Sequence, residues 1–224
     1  MSVLDFDYML GLVPILLGYL PLTLAMAAAG MALALVLACG LAVIRVLGIP
    51  GLNGATLLFI SFFRGTPLLV QLFLFYYGLP QVLAFLTQID GITATIMGLT
   101  LHFAAYMAES IRAAIVGVDR SQTEAALSIG MTNGQLMRRI VLPQATRVAV
   151  PTLMNYFIDM IKATSLAFTL GVTELMGATQ KEAAGSFLYF EAFVTVAVIY
   201  WGIVELLAWC QRRLEWRLNE AYRR

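Results

Sequence analysis

Residues 121–143 read SQTEAALSIGMTNGQLMRRIVLP, and this polar stretch interrupts a chain that is otherwise strongly apolar. The 224-residue chain is 61% hydrophobic and only 12% charged, with a formal net charge of +1 and a mean hydropathy of +0.86. Soluble domains carry about 25% charged residues, so this composition excludes an ordinary soluble domain. Together with the recurring apolar runs, it indicates an integral membrane protein.

Five apolar segments are long enough to cross a bilayer core, which needs about 20 helical residues. They lie at about 19–45, 54–78, 92–117, 144–169 and 187–210. A shorter apolar piece at 5–17 is expected to lie along the membrane surface before the first span. No positively charged region precedes the first apolar run, so we expect no cleavable signal peptide. The sequence predicts one all-α transmembrane domain over residues 1–224.

Basic residues are concentrated on one side of the predicted spans. Eleven of the fourteen Lys and Arg residues fall in the first loop, in or beside the loop 118–143, or in the C-terminal tail. The opposite loops, near 79–91 and 170–186, contain only Lys181. The positive-inside rule therefore predicts an N-terminus outside the cell, with the loop 118–143 and the C-terminus in the cytoplasm. The tail 211–224 is predicted to be a basic amphipathic extension at the inner leaflet.

The polar stretch can therefore form an amphipathic helix that need not be embedded in lipid. Gly130 and Gly134 lie near its middle, and a glycine costs about 1 kcal/mol inside a helix. Two of them predict a bend or a close backbone approach. Pro143 then begins the next span.

Seven positions of this stretch match the signature E-A-A-x3-G-x9-I-x-L-P, which resembles the cytoplasmic coupling loop of permease subunits of binding-protein-dependent ABC importers. The matching residues are Glu124, Ala125, Ala126, Gly130, Ile140, Leu142 and Pro143. Ser121 stands where the related group usually has glycine, and we expect this difference to have only a small effect on the turn.

The similarity covers about 15–215, and the chain resembles the polar amino-acid uptake group of these permeases, the histidine, glutamine and cystine type. Further matching stretches are FRGTPLLVQLF at 63–73, AAYMAESIRAAI at 104–115 and IKATSL at 161–166. The resemblance implies a type I ABC importer permease fold, with five transmembrane helices and a cytoplasmic coupling helix between spans 3 and 4.

The resemblance also implies the partners. The coupling loop is expected to insert into a dimeric cytoplasmic ABC ATPase, which binds ATP and Mg, while an extracytoplasmic amino-acid-binding protein delivers the solute. This chain is then expected to carry no cofactor of its own. The seven signature residues are the predicted ATPase-coupling residues, and the predicted location is the bacterial cytoplasmic (inner) membrane.

The chain contains no GxxxxGK[ST] phosphate loop and no catalytic motif, so it is predicted not to be an enzyme. ATP hydrolysis is therefore expected of a separate subunit. Five spans are few for enclosing a solute path, so we expect a second permease subunit related by a two-fold axis. We favour a homodimer over a heterodimer. Membrane lipid is the expected surrounding, and no nucleic acid is expected as a partner.

Polar residues inside the spans are candidates for the solute path, because such groups are costly in a bilayer. The candidates are Arg64, Thr66, Asn155, Asp159, Lys162, Thr164 and Ser165. Arg64 precedes a kink expected at Gly65-Thr66-Pro67. Its guanidinium could hold a carboxylate of the solute, or it could only satisfy the broken helix or pair with a neighbouring carboxylate.

The residues Asn155, Asp159 and Lys162 share one helix face by their spacing. This face can meet both charges of an amino acid, or Asp159 and Lys162 can neutralise each other as a structural pair. Glu109 and Arg112 are predicted to pair or to contact the coupling loop. His102 is the only histidine, and it is predicted to be a hydrogen-bonded core group rather than a metal ligand. Both cysteines are interpreted as small core residues.

The sequence thus predicts the transmembrane subunit of an ATP-driven importer of a polar amino acid. Cystine or another neutral polar amino acid is favoured, because the face with Asp159 and Lys162 bears both charges. The alternative is an ATP-independent channel for amino acids or small solutes. An intramembrane enzyme is disfavoured, because the sequence lacks HExxH and GxSxG.

Overall fold

The structure is a computed structural model, and it describes residues 4–84 and 87–220. All regular structure in this part of the chain is helical. The α-helices in chain order are α1 (Phe6–Leu17), α2 (Leu20–Leu47), α3 (Leu52–Gly65), α4 (Leu68–Phe73), α5 (Gly91–Val116), α6 (Arg120–Ser128), α7 (Asn133–Leu136), α8 (Leu142–Ala163), α9 (Leu175–Ser186) and α10 (Tyr189–Glu220).

The core of the bundle is the packing of α2 against α5. Small residues dominate this contact, because they let two helix backbones approach closely inside a membrane. At Gly30 in α2, an added Cβ would lie only 3.1 Å from the Sδ of Met160 and 3.4 Å from the Cβ of Leu99. The fully buried alanines that these two helices contribute to the main core cluster are Ala27, Ala34, Ala38, Ala104, Ala105 and Ala108.

Among the described residues, three helices are long and apolar enough to cross a membrane, namely α2, α5 and α10. The pair formed by Leu52–Gly65 and Leu68–Gln81 makes a fourth if it is one broken span. Helix α8 has 22 residues but carries Arg147, Asp159 and Lys162, and it is not among these. The structure thus supports three or four spans by length and composition, compared with the five expected from the sequence.

The expected kink in the second span is present at Pro67. Helix α3 ends at Gly65, and the chain resumes as α4 after extended backbone at Thr66 and Pro67. The two arms are bent by 109°. Proline removes a backbone N–H and clashes with the preceding turn, so the break falls where the sequence predicted it.

Three other expectations need adjustment. The N-terminal segment is a helix whose Leu12 and Leu16 are fully buried in a cluster with residues of α9 and α10, so it belongs to the bundle rather than only lying on a surface. Cys39 and Cys210 are both exposed in the chain by itself, so their interpretation as core residues was wrong. Helix α10 continues through the predicted fifth span and into the tail, whereas Arg223 and Arg224 lie outside the described residues.

Candidate functional site

The predicted coupling loop is a pair of short helices, beginning with α6. Asp119 caps this helix, and its carboxylate accepts a hydrogen bond from the backbone N–H of Ser121 at 2.8 Å. This hydrogen bond holds the pKa of Asp119 below its ordinary value. Ser121 therefore supports the turn through its backbone, which any residue can provide, so its difference from the related group is compatible with this cap.

Gly130 ends α6 and turns the chain toward α7. Its φ of 83° lies in the left-handed region, which glycine adopts without a steric penalty. After the turn, Thr132 and Gln135 form a reciprocal capping box at the start of α7. Gly134 lies inside α7 with open space around it, so the predicted bend belongs to Gly130 alone.

Helix α6, the π-helical turn Met137–Val141 and the start of α8 enclose a shallow groove of about 450 Å³. Four signature residues line it, namely Ala125, Ala126, Ile140 and Pro143. A hydrogen bond of 2.6 Å from the side chain of Gln144 to that of Gln122 joins its two sides. The fold therefore brings most of the signature together around one surface, while Glu124, Gly130 and Leu142 lie outside the groove lining.

One acidic and two large apolar side chains are exposed on α6 and directly after it. Leu127 is 46% exposed and Ile129 is 76% exposed. Glu124 is also exposed, and no side-chain partner for it occurs among the described residues. It lies in the second turn of α6, because the helix begins at Arg120. Its carboxylate is thus free for a basic group of another protein, and Asp119 provides the helix cap.

A second groove, of about 610 Å³, runs between α8 and α10. It brings together three of the candidate path residues, Asn155, Asp159 and Lys162. From α10 it adds polar and charged residues that the sequence analysis did not select, namely Gln211, Arg212 and Glu215. Their repeated polar positions on one side of α10 were the available signal, but the tail was interpreted only as a membrane anchor.

Asp159 and Lys162 form an ion pair of 2.7 Å, although both side chains remain about half exposed. The structural pairing considered from the sequence is therefore present, and the pair still lines the groove. Thr164 and Ser165 do not line it. Thr164 is fully buried, and its hydroxyl donates to the backbone carbonyl of Ile161 at 2.7 Å.

The candidate residues Arg64 and Thr66 lie at the break in the second span, next to α5. The Arg64 guanidinium carbon is 5.3 Å from the centre of the Tyr106 ring, a cation–π distance. No ion pair to Arg64 occurs in the described part of the chain. The Thr66 hydroxyl donates to the carbonyl of Phe62 at 2.8 Å. Arg64 therefore remains exposed and free of an acidic partner.

The Glu109 carboxylate forms the predicted pair with Arg112, at 2.9 Å. It also contacts Arg45 of α2 at 3.4 Å, and Arg45 donates to the side chain of Asn53 at 2.8 Å. Glu109 thus ties α2 and α5 together near the start of α3. The contact with Arg45 was not predicted, because it joins residues far apart in sequence.

A buried carboxylate at Glu174 was missed entirely by the sequence analysis. Its side chain is 0% exposed and accepts hydrogen bonds from the backbone of Met176 and Gly177 at 2.8 and 2.9 Å. It also accepts from Thr23 at 3.2 Å and from Tyr200 at 3.4 Å. Its position at the start of α9 was the available sequence signal, since acidic residues favour helix N-termini.

Within the described ranges, no group of three or more His, Cys, Asp or Glu residues is placed to hold a metal ion. The predicted site residues thus lie at a groove with exposed flanks in the predicted coupling loop, in a charged groove between α8 and α10, and at the broken second span.

Comparison with known proteins places this architecture in a family. Residues 50–220 match the model described as binding-protein-dependent transport system inner membrane component. The probable amino-acid ABC transporter permease protein PatM of Vibrio harveyi is 63% identical over 97% of this chain and 98% of its own length. The L-cystine transport system permease protein TcyL of Bacillus subtilis (strain 168) is 39% identical, over 93% of this chain and 89% of its own length.

A solved structure described as an amino acid ABC transporter with histidines has the same fold. It superposes with a TM-score of 0.90 at 32% identity, covering 96% of this chain and all of the other. The chain therefore belongs to the inner membrane components of binding-protein-dependent transport systems, in the group of amino-acid ABC transporter permeases.

Proposed function

We propose that this chain is the transmembrane subunit of an ATP-driven importer that moves a polar amino acid from a binding protein into the cytoplasm. The observation that carries the proposal is the groove at the coupling loop, because four residues of the seven-residue signature line it. The similarity to amino-acid permeases over nearly the full length supports the same role.

The proposed ATPase contact is the surface formed by α6, α7 and the groove beside them. Its exposed Leu127 and Ile129 offer apolar area, and the free carboxylate of Glu124 offers a charge for a basic partner. The remaining signature residues shape this surface: Gly130 makes the turn, and Leu142 and Pro143 begin α8. ATP and Mg bind to the partner ATPase in this proposal, and the permease chain contributes no cofactor.

The proposed membrane arrangement has five spans, with α8 as the fourth and the bent pair as the second. Helix α8 is about 33 Å long at 1.5 Å per residue, and its polar residues face a groove. A polar face in a membrane requires a cavity or a partner, so we place the solute path there, completed by a second copy of this chain. The N-terminus lies outside and the C-terminus in the cytoplasm, following the distribution of basic residues.

The proposed solute path contains Asn155, Asp159 and Lys162 in the groove between α8 and α10, and Arg64 and Thr66 at the broken span. Thr164 and Ser165 support α8 beside the path rather than contacting the solute. Charges of both signs line the groove, which suits a zwitterion with a neutral side chain. We favour cystine or another neutral polar amino acid, and the L-cystine permease among the relatives agrees with that choice.

The test is affinity purification of this chain from its native membrane in mild detergent, followed by mass spectrometry and measurement of subunit stoichiometry. A complex with two ATPase subunits and two copies of this chain is expected. The complex in proteoliposomes, with its binding protein, should then take up labelled cystine only when ATP is supplied. Solute flux without ATP, from a chain recovered without an ATPase, would contradict the proposal and favour the channel.

A further inference from the structure

The buried side chain of Gln71 compensates for a backbone hydrogen bond that is lost at the break in the second span. Its side chain is 1% exposed, and its amide nitrogen lies 3.0 Å from the carbonyl oxygen of Phe63 and 3.1 Å from that of Thr66. Pro67 has no backbone N–H, so the Phe63 carbonyl lacks the partner that the residue four positions later supplies in an unbroken helix. A buried carbonyl without a partner is costly, and Gln71 supplies the missing donor.

The same contacts fix the orientation of the Gln71 amide and the tautomer of His102. Carbonyl oxygens only accept hydrogen bonds, so the Gln71 nitrogen must face Phe63 and Thr66. Its oxygen then faces His102, whose Nδ1 lies 3.1 Å away. Because that oxygen only accepts, the proton of the neutral imidazole must reside on Nδ1. The network thus requires the Nδ1–H form of His102.

This hydrogen bond connects the break to α5, the span that is most enclosed by the rest of the chain. The His102 ring lies 5.1 Å from the Tyr106 ring, and Tyr106 in turn lies under the Arg64 guanidinium. The Tyr106 hydroxyl also donates to the Arg64 carbonyl, at 3.4 Å. Both sides of the break are therefore attached to the same helix.

We infer that Gln71 and His102 are positioning residues, which hold the break in the second span against α5 and so fix Arg64 and Thr66 along the solute path. This inference rests on the proposed function for its consequence in transport. The hydrogen bond itself is tested independently of transport.

The first test measures the tautomer. His102 is the only histidine in the chain, so permease labelled with ¹⁵N-histidine and assembled with unlabelled ATPase gives one imidazole in a nitrogen NMR spectrum. At alkaline pH, where the ring is neutral, the inference requires the proton on Nδ1 and the lone pair on Nε2. A ring protonated on Nε2 would overturn it, whatever the complex transports.

The second test compares two substitutions that separate ring packing from hydrogen bonding. His102→Asn keeps an N–H donor near the position of Nδ1, whereas His102→Phe keeps the aromatic ring and removes the donor. In proteoliposomes we expect His102→Phe to lower the maximal ATP-driven uptake rate about 5-fold, through the loss of one hydrogen bond. His102→Asn is expected to stay within about 2-fold of the wild type.

The positioning role would be overturned if His102→Phe transports at the wild-type rate, or if the two variants are equally impaired. Equal yields of monodisperse complex are the control for folding, and the tautomer measurement decides the case if a variant does not assemble. If the wild-type complex shows no ATP-dependent uptake, the proposed function fails, while the tautomer still reports on the Gln71–His102 bond.

Discussion

The coupling loop and the Glu174 region each place a glutamate in a short helical segment between long helices, but the two carboxylates have opposite surroundings. Glu124 is exposed and has no side-chain partner among the described residues. Glu174 is fully buried and accepts four hydrogen bonds. A buried charge is stable only when its hydrogen bonds are satisfied within the protein. The first glutamate is therefore available to another protein, and the second holds this one together.

Replacing Glu174 with alanine should have the largest effect. It would leave two partly buried backbone N–H groups and the buried Thr23 hydroxyl without an acceptor, and we expect the free energy of unfolding to fall by about 3 kcal/mol or more. Thermal unfolding of the purified permease in detergent measures this. Glu182→Ala lies on the same helix, and the Glu182 side chain has no partner among the residues that the structure describes. It is the control and should change stability by less than about 0.5 kcal/mol. Similar losses in both variants would show that the network does not hold α9 in place.

Reversing the charge of Glu124 should leave the fold intact and weaken the complex. For Glu124→Lys we expect normal insertion but an affinity for the ATPase at least about tenfold lower, because like charges across an interface repel. Gly130→Arg should also lose coupling, because arginine is strained at this φ and adds bulk at the turn. Co-purification and ATP-driven uptake are the measurements, with Glu182→Lys as the matched charge reversal. Normal uptake by both loop variants at normal expression would contradict the coupling assignment.

Alanine substitutions at the two glycines of the loop are expected to have smaller effects on stability, and of opposite sign. Gly130→Ala places a Cβ at a φ of 83° and should destabilise the loop by about 1 kcal/mol. Gly134→Ala places a Cβ in open space within α7 and should be neutral or stabilising, by up to about 1 kcal/mol. Hydrogen exchange of the loop amides measures both variants. Equal protection in the two would mean that the left-handed turn at Gly130 is absent.

The smallest expected effect is a pH dependence at the start of α6. The folded-state pKa of Asp119 is lowered by its hydrogen bond from Ser121, so the carboxylate stabilises the helix at pH above its unfolded-state pKa. This contribution is lost as the pH falls through the lowered folded-state pKa. The protection factor of the Ser121 amide, which corrects for the intrinsic pH dependence of exchange, should therefore fall only under acidic conditions. Asp119→Asn keeps a good cap and should remove this pH dependence; an unchanged profile would refute the assignment.

The contrast between Glu124 and Glu174 also explains which features could be predicted from the sequence. Glu124 was found because the seven-residue signature is local, and the kink at Pro67 was found because proline acts on its own helix. The contact between Gln71 and His102, the contact between Arg45 and Glu109, and the bonds from Thr23 and Tyr200 to Glu174 were missed, because they join residues of different helices. Nothing in a local pattern shows which distant hydroxyl or carbonyl will meet a polar side chain after packing.

The sequence by itself determined the membrane class, the helical fold class and the break at Pro67, and it located the seven-residue signature from which a coupling role is predicted, because apolar run length, proline chemistry and signature spacing are properties of neighbouring residues. The tertiary structure decided which polar groups are free and which are satisfied. It placed Asp159 and Lys162 opposite Arg212 and Glu215 in one groove, enclosed Glu174, and joined Gln71 to His102. These outcomes depend on how helices far apart in the chain pack together, and the cost of an unsatisfied buried polar group makes that packing specific.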